Sequence, residues 1–429
     1  MFKSNPMTIP FERVLDQVAM AAMTDSFERV LDQVAMASLA NQSINDASFS
    51  HKESIPTATT YRVKETCIVN QRQTGTCWIQ AGLAFLSTQA KGKGYDIRFS
   101  SCYLHYFDKI EKTLSFIKAI TNPQMDERTR WHWMQDPIQE GGTWPMFVHL
   151  VKTYGVVPYD AMLPSYQADH TSQLNQALNR YLRSCADELI SEKLSSETVV
   201  SRVKQAVLRC FQKPPQICSL QMHPHNLVFE DTPQNLCDLI QNSWDFVVLT
   251  HAPDRDFARY HGPYFNNSED VQQDKFEVVP PDMIKASAIA QLEAGMPVWF
   301  TADVRIDFSA KMGVAACGLH DVEALLGLGP LDGGTEKKRE RIVSSNTAPV
   351  HAMLFTGVEL DKDRQPRSWR AQNSWGKAGK HGNGFVTIKA DWFDENVFAV
   401  AVMSRFVRGI RPTGDLIPTT PWDVFGTVA

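Results

Sequence analysis

No run of about 18 uninterrupted apolar residues occurs in this sequence, so no transmembrane helix is indicated. The first residues carry charged and polar groups throughout and lack the apolar centre of a secretory signal. The eight cysteines, at 67, 77, 102, 185, 210, 218, 237 and 317, form no C-x-x-C pair. Scattered singly over 429 residues, they read as thiols kept reduced, not as a disulfide framework, and a cytoplasmic location is the expectation. Excess positive charge is missing as well: 43 Lys and Arg against 48 Asp and Glu leave a formal net charge of −5. The bulk composition therefore gives no reason for a nucleic-acid partner. Metal-ligand patterns are scarce. Cys218, His223 and His225 include a His-x-His, but no fourth ligand stands at a suitable spacing and Pro224 marks a turn, so no metal is expected.

What is present is ordinary in bulk and specific in one place. Hydrophobic residues at 43% and charged residues at 21% suit a globular chain, long enough for one large core with insertions or for two to three domains. The specific place is the stretch Asn70-Gln71-Arg72-Gln73-Thr74-Gly75-Thr76-Cys77-Trp78, a polar loop that runs into the apolar sequence Ile79-Gln80-Ala81-Gly82-Leu83-Ala84-Phe85. A cysteine at the first turn of a helix faces unpaired backbone N–H groups and the positive end of the helix dipole, and both favour thiolate. Cys77 is thus a candidate nucleophile. Gln71 is a candidate amide donor to the oxygen that becomes negative when a thiolate attacks a carbonyl.

The rest of the chain reads as helical first and sheet-containing last. A near-identical segment occurs twice, from Met7 to Met20 and from Met23 to Met36, and a break near Thr24-Asp25-Ser26 would let each copy bury a face. Residues 41–60 are polar and read as an irregular connection. Ser100 caps a helix beginning near Cys102, and two further helical runs follow, 174–194 and a second between Ser195-Ser196 and Pro214-Pro215. Strand-like runs lie at 246–250, 297–301, 352–358, 369–372 and 384–388, with a helix over 283–292 that Asp282 would cap. This is an α+β pattern.

A thiol nucleophile needs an imidazole beside it and a third group to fix the ring. His351 opens the apolar run Ala352-Met353-Leu354-Phe355-Thr356-Gly357-Val358, which places it at the end of a buried strand. One hairpin later comes Gln372-Asn373-Ser374-Trp375-Gly376, where the Asn373 oxygen can accept the imidazole N–H and Trp375 can shield that bond from water. The rival pair His320-Asp321 has no such orienting motif after it and reads as structural. Residues 337–341, Lys-Lys-Arg-Glu-Arg, read as a solvated loop or helix start whose basic groups could touch nucleic acid secondarily.

Cys77, His351 and Asn373, with Gln71, stand in the chain order of papain-like cysteine peptidases, and Gln-x5-Cys-Trp, His-Ala and Asn-Ser-Trp-Gly occur together. The chain further resembles the bleomycin hydrolase and aminopeptidase C branch, on Phe99-Ser-Ser-Cys-Tyr-Leu104 with Phe107-Asp-Lys-Ile-Glu-Lys112, Gly141-Gly-Thr-Trp144 with Tyr154-Gly-Val-Val-Pro158, Val298-Trp-Phe300, Asn373-Ser-Trp-Gly376 and Pro421-Trp-Asp423. Thr76, Gln80 and Glu140 depart from the pattern expected there.

The resemblance implies a papain-like two-lobe fold, a helical lobe and a β lobe, with a large helical insertion and extensions at both ends. The boundaries expected are 1–60 for the N-terminal extension, 61–165 for the lobe with the nucleophile, 166–290 for the insertion, 291–408 for the lobe with His351 and Asn373, and 409–429 for a C-terminal arm. It also implies a cysteine aminopeptidase acting on peptide substrates, without metal or organic cofactor, often a homohexamer. Gly141 and Gly142 would line the cleft, and the carboxylate of Ala429 would meet the substrate's amino group. The rival readings are a nucleic-acid-binding or regulatory hexamer with a papain-like shell, and an acyl transferase using the same triad.

Overall fold

The computed structural model describes residues 29–49, 58–64, 67–222, 227–241, 243–262, 275–328, 338–377 and 383–426. The chain groups into two compact units, one formed by 1–53 with 318–336 and the other by 54–317 with 337–429. Among the described residues no helix is long and apolar enough to cross a membrane.

The larger unit is α+β, with helices first and most strands later, as the order of the sequence runs suggests. Its axis is a 12-stranded sheet in which Phe246–Thr250, Val397–Met403, Val298–Ala302, His351–Leu360, Pro366–Gln372 and Phe385–Lys389 lie side by side, each antiparallel to its neighbour. These strands are apolar because both faces are covered. Along the His351 strand, Ala352 and Leu354 enter one core together with Trp299 and Ala401. Met353 and Phe355 enter the other with Val298, Phe300, Val400 and Val402. The two-residue period of a strand thus splits one run of apolar residues between two cores. In the second core Phe300 and Phe355 stack at 3.6 Å between centroids, and Phe355 reaches Trp369 at 5.1 Å. Burying each ring contributes about 2–3 kcal/mol.

The first core is helical. Helix Cys77–Gly92 is buried nearly all round, which the predominantly apolar stretch from Cys77 to Leu86 anticipates. Helix Ser101–Thr121 runs farther than its start suggests, with Ser100 Oγ accepting from the Tyr103 N–H. The two runs that follow are helices Ser172–Ile190 and Ser196–Cys210, which bury Leu178, Leu182 and Leu189 from one and Val199, Val203 and Val207 from the other. The second is capped by Ser195, which accepts from the Thr198 N–H. Helix Pro281–Glu293 starts earlier than expected: Pro280 is its N-cap and Asp282 lies within the first turn, since proline can open a helix without a side-chain cap.

In the smaller unit residues 29–39 are helical, Ile44–Ala47 is a short helix capped by Ser43 where an irregular connection was expected, and Asp321 caps Val322–Leu326. Ser43 hydroxyl acceptance of the Asp46 N–H explains that short helix. The first copy of the repeated segment, and the expected break at residues 24–26, lie outside the described residues. Within the second copy Val30, Leu31, Val34 and Met36 are exposed, not buried as the apolar spacing suggests.

Gly82 shows how tightly the first core closes. A Cβ there would fall 2.5 Å from the Phe147 ring, which is fully buried between Trp144 and Trp244. Gly82→Ala gains about 1 kcal/mol of helix propensity but overpacks the core by about 1–3 kcal/mol. Its melting temperature in a thermal unfolding scan should therefore fall, the opposite of what an exposed helical glycine would give.

Candidate active site

Cys77 is the first residue of the Cys77–Gly92 helix and is buried, at 3% exposure. Thr76 precedes it as N-cap without capping through its side chain; its hydroxyl meets that of Thr74 at 2.7 Å instead. The loop before the helix is held from several sides. Thr74 Oγ1 donates to the Gln71 carbonyl at 2.6 Å, and the Gln71 N–H donates to the Ser374 carbonyl at 2.7 Å. Gly376 N–H donates to the Val69 carbonyl at 3.0 Å, and Ser374 Oγ donates to Gln71 Oε1 at 2.5 Å. The loop carrying Gln71 is therefore stitched to the Asn373-Ser374-Trp375-Gly376 turn, far away in sequence. Gln71 Nε2 donates to the Thr74 carbonyl at 2.6 Å, which fixes the amide plane beside the nucleophile loop.

His351 stands at the start of its strand, paired with Ala302 of the neighbouring strand. Its Nε2 lies 2.9 Å from Asn373 Oδ1. An amide oxygen accepts, so this nitrogen carries the proton and Nδ1 keeps the lone pair. Trp375 covers the ring at 4.9 Å between centroids, the shielding its place in the motif suggests. The structure so brings His351 and Asn373 together. The backbone N–H of Ala352, the residue next to His351, is among the groups that favour the Cys77 thiolate.

The electrostatics differ from the expectation of a thiolate at a helix start. Burial pushes the Cys77 thiol up to about 11, and the N–H groups of Ala352, Trp78 and Cys77 itself offset this only in part. Burial likewise pushes His351 down to about 4 against the favourable bond to Asn373. Loss of water outweighs the helix end at a site this enclosed. Burial thus disfavours charge on both the thiol and the imidazole.

Gly141 and Gly142 are both buried on the near side of the nucleophile helix. A Cβ on Gly142 would meet the Trp78 ring at 2.5 Å, so only glycine lets this segment run alongside the helix start. An apolar pocket opens from Gly142, walled by Trp144, Trp299, Thr301, Phe398 and Phe425. Phe425 falls in the stretch 409–429 expected to form a C-terminal arm. There Asp423 pairs with Arg255, whose guanidinium also sits over the Phe425 ring, and Arg128 covers Trp422 at 4.2 Å. Ala429 lies outside the described residues.

Four side chains to which the sequence assigned no individual role gather beside Glu140 and Gly141. Helix Ser101–Thr121 presents His105, Asp108, Lys109 and Lys112, three and four residues apart and all buried. Lys109 and His105 meet Glu140, and Lys112 donates to the Gly141 carbonyl at 2.7 Å. That charged stripe on an otherwise apolar helix was the available signal. Gln80 also has a role: its Nε2 donates to Ser101 Oγ at 2.8 Å and ties the nucleophile helix to the next one.

Other candidates fall elsewhere. His320 Nδ1 lies 3.3 Å from Ser48 Oγ, and Asp321 caps a helix, which is the structural role expected of that pair. His223 and His225 lie outside the described residues, as does Lys337. Of the basic run, Lys338 is buried, not solvated, and donates to the Val397 carbonyl, while Arg341 pairs with Glu395 at 3.1 Å. These two groups are committed inside the fold and do not form an open basic surface.

A sequence profile of the Peptidase C1-like family matches residues 14–426. Aminopeptidase C of Lactococcus lactis subsp. cremoris is 28% identical over 404 residues, covering 89% of this chain and 91% of its own. Aminopeptidase G of Lactobacillus delbrueckii subsp. lactis is 29% identical, covering 83% and 86%. Bleomycin hydrolase of Homo sapiens is 27% identical, covering 84% and 86%. The crystal structure of PepW from Lactobacillus rhamnosis superposes with a TM-score of 0.84 over 99% of this chain and 100% of that one, at 24% identity, a likeness of fold.

With His351 held near 4, hydrolysis by this site should persist well below pH 6.5 and fade only toward pH 4. Asn373→Ala takes away the bond that favours imidazolium, so the acid limb of the kcat/KM profile should move lower still and kcat should drop about 10- to 100-fold. A pH–rate profile of both proteins checks it.

Proposed function

The chain belongs to the Peptidase C1-like family, and from that premise we propose that it is a cysteine aminopeptidase acting through Cys77, His351, Asn373 and Gln71. The carrying observation is the 2.9 Å bond from His351 Nε2 to Asn373 Oδ1, made by the residue next to Ala352, whose backbone N–H favours the Cys77 thiolate.

His351 Nδ1 takes the Cys77 proton as the sulfur bonds to the substrate carbonyl carbon. Transfer within a neutral pair is uphill until the C–S bond forms, so both events belong to one step. The carbonyl oxygen becomes negative and is met by the Cys77 backbone N–H and by the second N–H of the Gln71 amide, whose first is fixed on Thr74. His351 then gives its proton to the leaving nitrogen, the C–N bond breaks and an acyl-enzyme remains. Water enters, His351 removes its proton as the oxygen bonds to the acyl carbon, the C–S bond breaks, and His351 returns the proton to the sulfur as the carboxylic acid leaves. Asn373 keeps the ring aimed throughout, and Gly142 supports the substrate backbone.

Selectivity for a free amino terminus is assigned to the C-terminal arm. Support comes from Arg255, which holds Asp423, and from Phe425, which walls the pocket that opens from Gly142. An arm fixed there would close the cleft to longer peptides on one side of Cys77, and a terminal carboxylate would attract a charged amine. A cytoplasmic location fits cysteines that form no disulfide among the described residues. Assembly into a hexamer, implied by the resemblance, is measured by sedimentation.

Cys77→Ala should abolish hydrolysis of an aminoacyl-amide and leave the melting temperature within a few degrees; undiminished hydrolysis would remove the assignment. Acetylating the substrate amine should stop cleavage by the intact chain. Deleting residues 427–429 should restore cleavage of the acetylated peptide, and equal rates on free and acetylated substrates before deletion would show that the arm does not select. If added amines outcompete water for the acyl-enzyme, the enzyme is an acyl transferase instead.

A further inference from the structure

We propose that Glu140 is a positioning residue for the reaction, a carboxylate that clamps the nucleophile loop to the Gly141–Gly142 wall of the cleft. The proposal rests on the peptidase reading for its kinetic arm only. Glu140 Oε2 accepts the Gly75 N–H at 2.7 Å, two residues before Cys77. Its Oε1 accepts from Lys109 Nζ at 2.8 Å and lies 3.2 Å from His105 Nε2. The next residue, Gly141, gives its carbonyl to Lys112, which is held in turn by Asp108 at 2.9 Å. One face of helix Ser101–Thr121 thereby grips both walls of the cleft.

The geometry leaves little slack. Gly75 and Glu140 are so close that a Cβ on Gly75 would fall 2.5 Å from the Glu140 Cβ. Lys109 is completely buried, so its charge has no alternative in water. Burial would drive the Glu140 carboxyl up, yet His105 and Lys109 hold it well below the usual carboxylate range. Burial drives His105 down, with the charge on Lys109 acting the same way, so His105 is neutral and can donate. Glu140 is therefore ionised at any pH where the enzyme works. Charge-assisted bonds of this kind are shorter and stronger than neutral ones and fix direction as well as distance. None of these groups touches the reacting atoms; they act by setting the place of the Cys77 N–H against Gly142.

Removing Glu140 alone would leave a buried cation, so the test pairs it with Lys109→Met. Glu140→Ala with Lys109→Met removes the clamp without stranding a charge, and Glu140→Gln with Lys109→Met returns an acceptor for the Gly75 N–H. On an aminoacyl-amide the first should lower kcat about 100-fold with KM within about threefold, since a displacement near 1 Å costs about that much. The second should recover at least tenfold of the loss. Independently of peptide hydrolysis, amide hydrogen exchange over residues 74–77 and 140–142 should quicken at least tenfold in the first variant and not elsewhere. Unchanged exchange there, faster exchange throughout the chain, or equal kcat in the two variants would overturn the proposal. If the intact protein cleaves no aminoacyl-amide, the peptidase reading fails and the exchange result alone decides the clamp.

Discussion

Taking a thiol and an imidazole out of water is the constraint on which the rest of this cleft depends. Burial separates the pair, one pushed up to about 11 and the other down to about 4, so charge is disfavoured on both until a substrate arrives. Whatever stabilises the charged intermediates must therefore be fixed in place beforehand, because groups this buried are shielded from bulk water. The fold meets this demand by bringing rigid element ends together. The Cys77 helix begins in the helical core, the His351 strand begins in the sheet, and the Gln71 loop is bonded to the turn after Asn373.

The sheet makes this meeting possible because its central strands have no wet face. Ala352 and Leu354 are shared with the helical core, and Met353 and Phe355 with the second. A one-residue slip of this strand would exchange those sets and carry His351 away from Asn373. Its antiparallel pairing, Leu354 opposite Gln372, sets the register, and the hydrogen bond between the His351 and Asn373 side chains is its consequence. The placement of His351 against Asn373 thus follows from the apolar register of this strand.

Much of this was legible in the sequence because the reactive residues sit where polarity changes. Cys77 stands between a polar loop and an apolar helix, and His351 and Asn373 flank apolar strands, so periodicity located them as it located the elements. What escaped was set by distant partners. Glu140 meets Lys109 and Gly75, residues 31 and 65 positions away, and no local pattern announces either. Lys338 read as part of a solvated basic run, yet the fold buries it against the Val397 carbonyl and Phe398, where burial pushes it down to about 7. The apolar spacing of Val30, Leu31 and Val34 marks a helix correctly but says nothing of burial, since periodicity fixes which residues share a side and not whether anything covers it.

A carboxylate fixed on the backbone N–H two residues before Cys77 looks misplaced, since a negative charge opposes thiolate formation. Among the influences on Cys77 it is the smallest, behind burial and three backbone N–H groups. Lys109, only 2.8 Å from the carboxylate, largely cancels its field at the longer range of the sulfur. At short range nothing cancels, and the Gly75 N–H feels the full acceptor strength. A buried ion pair can therefore act strongly on geometry and weakly on the nucleophile's titration, which a lone carboxylate at the same position could not do. A neutral link would spare the thiol as well, but would leave Lys109 without a counter-charge in a core that gives it no water.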